Sequence, residues 1–236
     1  MPPMEAQVAV AKTRKYATSE SGDSLEMIER PTGGLSLVLA DGQTSGKAAK
    51  AIAGIVVRKA ISLLADGVRD GAAARAASDY LYTHRSGKVL ATLNILSIDL
   101  LSQSLVVSRN NPAPVFLVEA GELQVLDGAV DPVGGRRGVR PEIHEVPLRP
   151  GLAAVVFTDG LMVAGERSGR PIDLPRRIRE LAAEGVPHPA RWADGLLAEA
   201  VALEDSRPAD DITVLVAAIL DRQGEDVRRL TVRMPF

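Results

Sequence analysis

Four short acidic motifs carry the chemistry available to this sequence. They are Ser21-Gly22-Asp23, Ala40-Asp41-Gly42, Thr158-Asp159-Gly160 and Asp210-Asp211-Ile212-Thr213. The second and third directly follow apolar runs, Leu35–Ala40 and Val155–Phe157, and the fourth leads into one, Ile212–Leu220. Hard divalent cations such as magnesium and manganese take carboxylate, carbonyl and water oxygens and need neither thiolate nor imidazole. Aspartate is the shortest carboxylate, so placement at a strand end fixes its geometry well. A glycine immediately after it lets the backbone carbonyl approach an ion closely. Asp-Gly is also an ordinary turn dipeptide. The signal therefore lies in the set and in the strands that feed it, not in any one motif.

Other candidate sites are weaker. Gly42-Gln43-Thr44-Ser45-Gly46-Lys47 invites a nucleotide P-loop reading, with Lys47 on the phosphates. The glycines are too close for that motif, and Ala48 stands where a magnesium-binding hydroxyl is needed. His84, His144 and His188 match no ligand spacing. His188, before a proline, reads as a helix-start residue, and Trp192 as core. Arg176-Arg177-Ile178-Arg179 reads as a solvated helix face, and Arg136-Arg137 as a loop pair able to meet an acidic partner.

Composition removes several function classes. The 236 residues carry 28 Lys+Arg against 30 Asp+Glu, a formal net charge of −2, which lacks the basic footprint of a dedicated nucleic-acid binder. Aromatics at 3% give no stacking platform for single strands. Cysteine is absent, which excludes disulfides, thiolate metal sites and thiol nucleophiles, and fits a reducing compartment. The longest apolar runs are strand length, short of the roughly 20 residues of a spanning helix. Met1-Pro2-Pro3-Met4-Glu5 does not resemble a signal peptide. A cytoplasmic, monomeric protein with no membrane or nucleic-acid partner is expected.

The elements that must position the motifs follow from pattern. Ala6–Lys12 alternates as a strand. Leu25–Arg30 and Leu35–Ala40 flank Pro31-Thr32-Gly33-Gly34 and read as a hairpin. Apolar spacing of three and four predicts a helix over Ala48–Leu64 ending near Gly67, and an alanine-rich helix follows over Ala72–His84. Val89–Asp99, Ser104–Ser108, Pro114–Glu119 and Glu122–Leu126 read as strands, the last two joined by the turn Ala120-Gly121. Pro141–Val146 and Leu152–Phe157 are expected to pair through Arg149-Pro150-Gly151. Helices are expected over Leu174–Ala183 and Pro189–Leu203, then a strand over Ile212–Leu220. Residues 222–236 read as an edge strand or a tail. Strands joined by tight turns are antiparallel, and two helix pairs suit the two outer faces of stacked sheets. The expectation is an α+β fold in one domain.

A resemblance rests on the ordered motifs. Ser21-Gly22-Asp23, Val38–Gly46, Ala91-Thr92, Ser108–Pro114, Pro132–Gly135, Val156–Leu161 and Asp210–Thr213 together resemble the SpoIIE-like branch of the metal-dependent protein phosphatases (PPM, type 2C) over about residues 5–220. The resemblance implies a four-layer αββα sandwich, with residues 221–236 as a tail. It implies hydrolysis of phosphoserine or phosphothreonine on a protein, with two Mn2+ or Mg2+ ions and a metal-activated water. By position, Asp41 would bridge both ions and Gly42 would lend its carbonyl to one. Asp159 and Asp210 would hold the other. Asp23 would sit at the ion bearing the Gly42 carbonyl, through water. Asp211 stands where relatives have Asp or Asn, as a supporting residue or variant ligand. Asp41 and Asp23 are the catalytic candidates. The short form resembles stand-alone RsbX-type phosphatases. The implied substrates are phosphorylated STAS-domain stressosome proteins, RsbS/RsbR-like, of a sigma-factor pathway. The chain departs from the family pattern at Thr44-Ser45-Gly46 and at Asn110-Asn111, where relatives carry histidine. That departure keeps open a second reading, a PPM-fold binding module without turnover.

Overall fold

The computed structural model describes residues 3–224 and 226–234. Ten strands and five helices follow in chain order: β1 (Met4–Thr13), β2 (Ser24–Glu29), β3 (Gly34–Gly42), α1 (Gly46–Ala65), α2 (Asp70–Arg85), β4 (Ala91–Asp99), β5 (Ser104–Arg109), β6 (Val115–Glu119), β7 (Glu122–Leu126), β8 (Glu142–Pro147), β9 (Ala153–Phe157), α3 (Asp159–Met162), α4 (Leu174–Ala183), α5 (Pro189–Leu203) and β10 (Ile212–Asp221). The strands form two five-stranded sheets, in the orders β1-β10-β9-β6-β7 and β2-β3-β4-β5-β8. Every pairing of named strands is antiparallel.

Three apolar layers hold the stack together. Leu37, Leu39 and Leu96 of one sheet meet Val156, Leu215 and Ala217 of the other in the middle layer. The opposite face of the β3 sheet, with Val38 and Ile95, packs on Val56, Val57 and Ala77 of α1 and α2. The opposite face of the β10 sheet, with Val155 and Val214, packs on Ile178, Trp192 and Leu196 of α4 and α5. Period-two alternation along each strand sends successive side chains into different layers, which is why both sheets are apolar on both faces. The result is the expected αββα sandwich.

Local signals account for the element ends. Gly67, at φ 80°, follows α1, and Ser86 closes α2 in the left-handed region at φ 53°. Ala120 and Gly121, both at positive φ, make the β6–β7 turn. His188 is the N-cap residue of α5, with Pro189 in its first turn.

One expected pairing does not form. Glu142–Pro147 and Ala153–Phe157 belong to different sheets: β8 pairs with β5, whereas β9 pairs with β10 and β6. Burial explains the separation. β8 alternates between half-buried and exposed, as an edge strand does, while all five residues of β9 are buried. The Arg149-Pro150-Gly151 link crosses between sheets, with Leu148 bonded to Gln103 O on one side and Gly151 to Ile219 O on the other. The described residues beyond Arg222 form no strand, so the edge-strand alternative for the tail is not realised there. The four-residue helix α3 was not anticipated, being too short to show a period.

Candidate metal centre

The acidic motifs meet at one end of the sandwich. Asp41 shares the β3 face of Leu37 and Leu39, so it points toward the space between the sheets at the strand's end. It is half-buried, and its backbone N–H donates to Thr92 Oγ1 across the β3–β4 ladder at 3.3 Å. Gly42 lies beneath α1: a Cβ there would stand 2.1 Å from the Ala49 carbonyl oxygen. Packing alone thus requires glycine at 42, whatever its carbonyl binds.

Asp23 is fully buried just ahead of β2. Its Oδ2 accepts hydrogen bonds from Thr158 Oγ1 at 3.0 Å and Thr213 Oγ1 at 2.5 Å. Its Oδ1 is buried with no hydrogen-bond partner. Thr158 Oγ1 in turn accepts from Thr213 N at 3.0 Å, joining the ends of β9 and β10. Asp211 is buried, and both its oxygens are engaged: Oδ1 accepts from Lys15 N and Oδ2 from Gly22 N, each at 2.8 Å. Asp211 therefore fastens the segment ahead of β2 onto the start of β10. Asp210 is half-buried, and its Oδ1 accepts from Asp211 N at 2.9 Å. Asp159 opens α3 and is exposed. Gly160 beside it passes so close to Asp211 that a Cβ would stand 2.1 Å from the Asp211 carbonyl oxygen.

The carboxylates act on one another. The Asp41 carboxyl is pushed up to about 9, first by burial and then by the charges of Asp23, Asp159, Asp210 and Asp211. Asp23 is raised to about 6 by burial, against the pull of the threonine hydroxyls and Lys12. Asp159 is exposed as a residue, but its carboxyl faces the cluster and is raised by lost hydration and by the Asp210 charge. Lys12 is exposed as a residue, but its ammonium end is drawn in beside Asp23 and Lys50; lost hydration, then the Lys50 charge, lowers it to about 8. Among the described residues, no three Asp, Glu or His side chains are gathered tightly enough to hold one ion as they stand. A divalent cation would offset the repulsion between these carboxylates when they are ionised.

The fold brings Asp23, Asp41, Gly42, Asp159, Asp210 and Asp211, the six residues expected from the sequence, to one region. With them stand groups the sequence did not single out, the hydroxyls of Thr92, Thr158 and Thr213 and the ammonium groups of Lys12 and Lys50. Thr158 and Thr213 lie within two of the acidic motifs, which is a usable signal; Lys12 and Lys50 give none. Asn111, one of the expected departures from the family pattern, is buried and structural. Its Nδ2 donates to Phe157 O at 3.1 Å, one residue ahead of Thr158, and its Oδ1 accepts from Ala113 N at 3.0 Å.

Residues 31–220 match the family described as Stage II sporulation protein E (SpoIIE). No curated protein matches the sequence. Solved structures resemble it throughout. The PP2C phosphatase domain of SpoIIE from Bacillus subtilis, with a fragment of its regulatory domain, superposes at TM-score 0.79 and 19% identity, covering 95% of this chain and 66% of that one. The catalytic domain of the serine/threonine phosphatase PstP, in complex with two manganese ions, superposes at 0.69 and 18% identity, covering 92% and 100%. RsbX in complex with magnesium does so at 0.68 and 18%, covering 93% and 100%. At such identities the superpositions establish the fold, the PP2C sandwich. The family match over residues 31–220 adds the lineage: the chain belongs to the SpoIIE family of PPM-fold proteins.

Proposed function

We propose that the protein is a divalent-metal-dependent phosphoprotein phosphatase acting on phosphoserine or phosphothreonine. The observation that carries this reading is the gathering of Asp23, Asp41, Asp159 and Asp210, from four separate segments of the chain, at one end of the sandwich. Clustered carboxylates, one with a buried unpartnered oxygen, form a donor set suited to Mn2+ or Mg2+. Relatives of the same fold were solved with manganese and with magnesium.

Asp41, Asp159, Asp210, the Gly42 carbonyl and, less directly, Asp23 are the residues that would hold the divalent metal, with Asp41, which feels the charge of the other carboxylates, as the shared ligand. Asp211, both oxygens occupied by backbone N–H groups, keeps the Asp23 segment in place rather than donating to an ion. Thr158 and Thr213 fix the orientation of the Asp23 carboxylate. Bound divalent ions supply charge neutralisation and a water of lowered pKa for attack on phosphorus. The chain has no cysteine, so no thiol nucleophile competes with that route.

The substrates we assign are phosphorylated STAS-domain proteins of a partner-switching pathway, of the stressosome type. The support is the ordered motif set and the likeness to RsbX and to the RsbU domain of Rv1364c from Mycobacterium tuberculosis. A cytoplasmic location goes with this assignment, and among the described residues no helix is long and apolar enough to cross a membrane. The test is manganese-dependent phosphate release from a phosphorylated STAS protein. Release by the wild type and none by Asp41→Ala is the expected outcome; no release by the wild type overturns the assignment.

A PPM-fold binding module without turnover is the second reading. It is favoured by Asn110 and Asn111, whose side-chain N–H groups donate to backbone carbonyls where the family resemblance implies a histidine. Metal uptake without phosphate release from any phosphoprotein would select it.

A further inference from the structure

Two lysines from different layers of the sandwich end on the same atom. Lys12 lies on β1, at the edge of the β10 sheet, and Lys50 lies on α1, which covers the β3 sheet. Lys12 Nζ donates to the backbone carbonyl of Asp23 at 2.7 Å, and Lys50 Nζ donates to the same oxygen at 2.5 Å. Two ammonium groups sharing one acceptor repel each other. Asp23 and Asp211 lay a negative field beside Lys12 that offsets part of that repulsion. The relationship is reciprocal. The acidic cluster lacks a closed ligand shell of its own, and the lysines are the positive charges that reach the Asp23 turn within hydrogen-bond distance.

Other features explain less. The Arg167–Glu204 contact is a loop brace, in which Glu204 accepts from Gly165 N, Ala209 N and Arg167 Nη2. The mostly apolar cavity beside Met4, Ile98 and Ile219, also lined by Glu5 and Gln103, shows nothing that selects one occupant. The buried Arg109 is saturated by Glu142 and by the carbonyls of Asn111 and Gly128.

We propose that Lys12 and Lys50 are positioning residues forming a resident cationic clamp on the Asp23 turn. The clamp draws β1 and α1 onto one carbonyl and so holds the acidic cluster assembled before any metal binds. As fixed cations beside a cation site, the same residues lower the affinity of that site for divalent metal. The clamp rests on the metal-site reading above, but its structural half does not depend on it. A purely structural lysine would affect stability alone; this pair moves stability and metal affinity in opposite directions.

The experiment compares wild type with Lys12→Met, Lys50→Met, the double variant, and the charge-preserving Lys12→Arg and Lys50→Arg. Thermal unfolding is followed in chelator, and Mn2+ is titrated calorimetrically into the chelator-stripped proteins. Each Met substitution is expected to lower the metal-free unfolding midpoint. Each is also expected to tighten Mn2+ binding severalfold, because a unit positive charge beside the site no longer repels the divalent ion. The Arg variants are expected to stay near wild type in both. Unchanged midpoints, or Mn2+ binding unchanged or weakened by the Met variants, overturn the proposal. Should the double variant not fold, the single variants and their Arg counterparts decide. If the wild type itself takes up no Mn2+, the metal-site reading fails, and the clamp is then judged by the metal-free midpoints alone.

Discussion

Asp23 and Thr213, 190 positions apart in the chain, share a 2.5 Å hydrogen bond from the threonine hydroxyl to Oδ2. With the 3.0 Å bond from Thr158 it ties the start of β2, in one sheet, to the ends of β9 and β10 in the other. These bonds cross the mouth of the sandwich where the acidic motifs collect. They fix the orientation of a carboxylate that is otherwise buried with one oxygen unpartnered.

Replacing Thr213 by valine keeps the shape and removes the hydroxyl. It leaves a buried carboxylate with one donor fewer, at a cost of about 1–3 kcal/mol. Thr158→Val removes two bonds, because its hydroxyl also accepts from Thr213 N, and is expected to cost more. Urea unfolding of the metal-free proteins checks the order. Equal stability for both variants and wild type would mean that Asp23 is not held by these hydroxyls.

Asp41→Asn removes a carboxyl that burial and four neighbouring carboxylates keep protonated in the folded protein up to about pH 9, although the unfolded chain ionises it at pH 8. The metal-free variant is expected to unfold at a higher temperature than wild type at pH 8. Addition of Mn2+ is expected to raise the wild-type midpoint and leave the variant's almost unmoved. Scanning calorimetry with and without Mn2+ reads both effects.

The pH dependence of the metal-free protein has a definite sign. Asp41 titrates near 9 and Asp23 near 6 in the folded state, against an ordinary value of 3.8. The native state therefore binds more protons than the unfolded chain above the ordinary carboxylate range. Its stability is greatest at the acid end of that window and falls as pH rises through it. Lys12, lowered to about 8, acts in the opposite sense at higher pH. Between about pH 5.5 and 8 unfolding in chelator should become easier as pH rises. Over the same range Mn2+ uptake should release protons, which pH-stat titration can count.

Gly42→Ala would place a methyl group 2.1 Å from the Ala49 carbonyl oxygen. The start of α1 has to move away from the end of β3. A loss of about 1–3 kcal/mol is expected, the usual range for forced overpacking. Denaturant titration measures it, and wild-type stability in this variant would show that α1 can shift freely over the site.

Much of the fold was legible because patterns were local. The helix spacing from Ala48 to Leu64 and the turn Pro31-Thr32-Gly33-Gly34 each determined one element with no knowledge of the rest. The β8–β9 hairpin was misread because Arg149-Pro150-Gly151 is an excellent turn sequence that the chain uses to change sheets. Only the full burial of Ala153–Phe157 against the half-exposure of Glu142–Pro147 reveals that, and burial is a tertiary property. The acidic half of the site was legible because each aspartate sits beside a strand end or a glycine. The cationic half was not. Lys12 and Lys50 are ordinary lysines on a strand and a helix, and nothing in the sequence brings them to one carbonyl. The engagement of both Asp211 oxygens by Lys15 and Gly22 was equally hidden, since those bonds span 196 and 189 positions.

The account stands on the capacity of the Asp23–Asp41–Asp159–Asp210 cluster to take up divalent metal. Titrating Mn2+ into chelator-treated wild type and Asp41→Asn at one pH, by calorimetry, tests it most directly. Saturable uptake by the wild type and its loss in the variant is the predicted result. No uptake by the wild type, or the same uptake by both proteins, would contradict it.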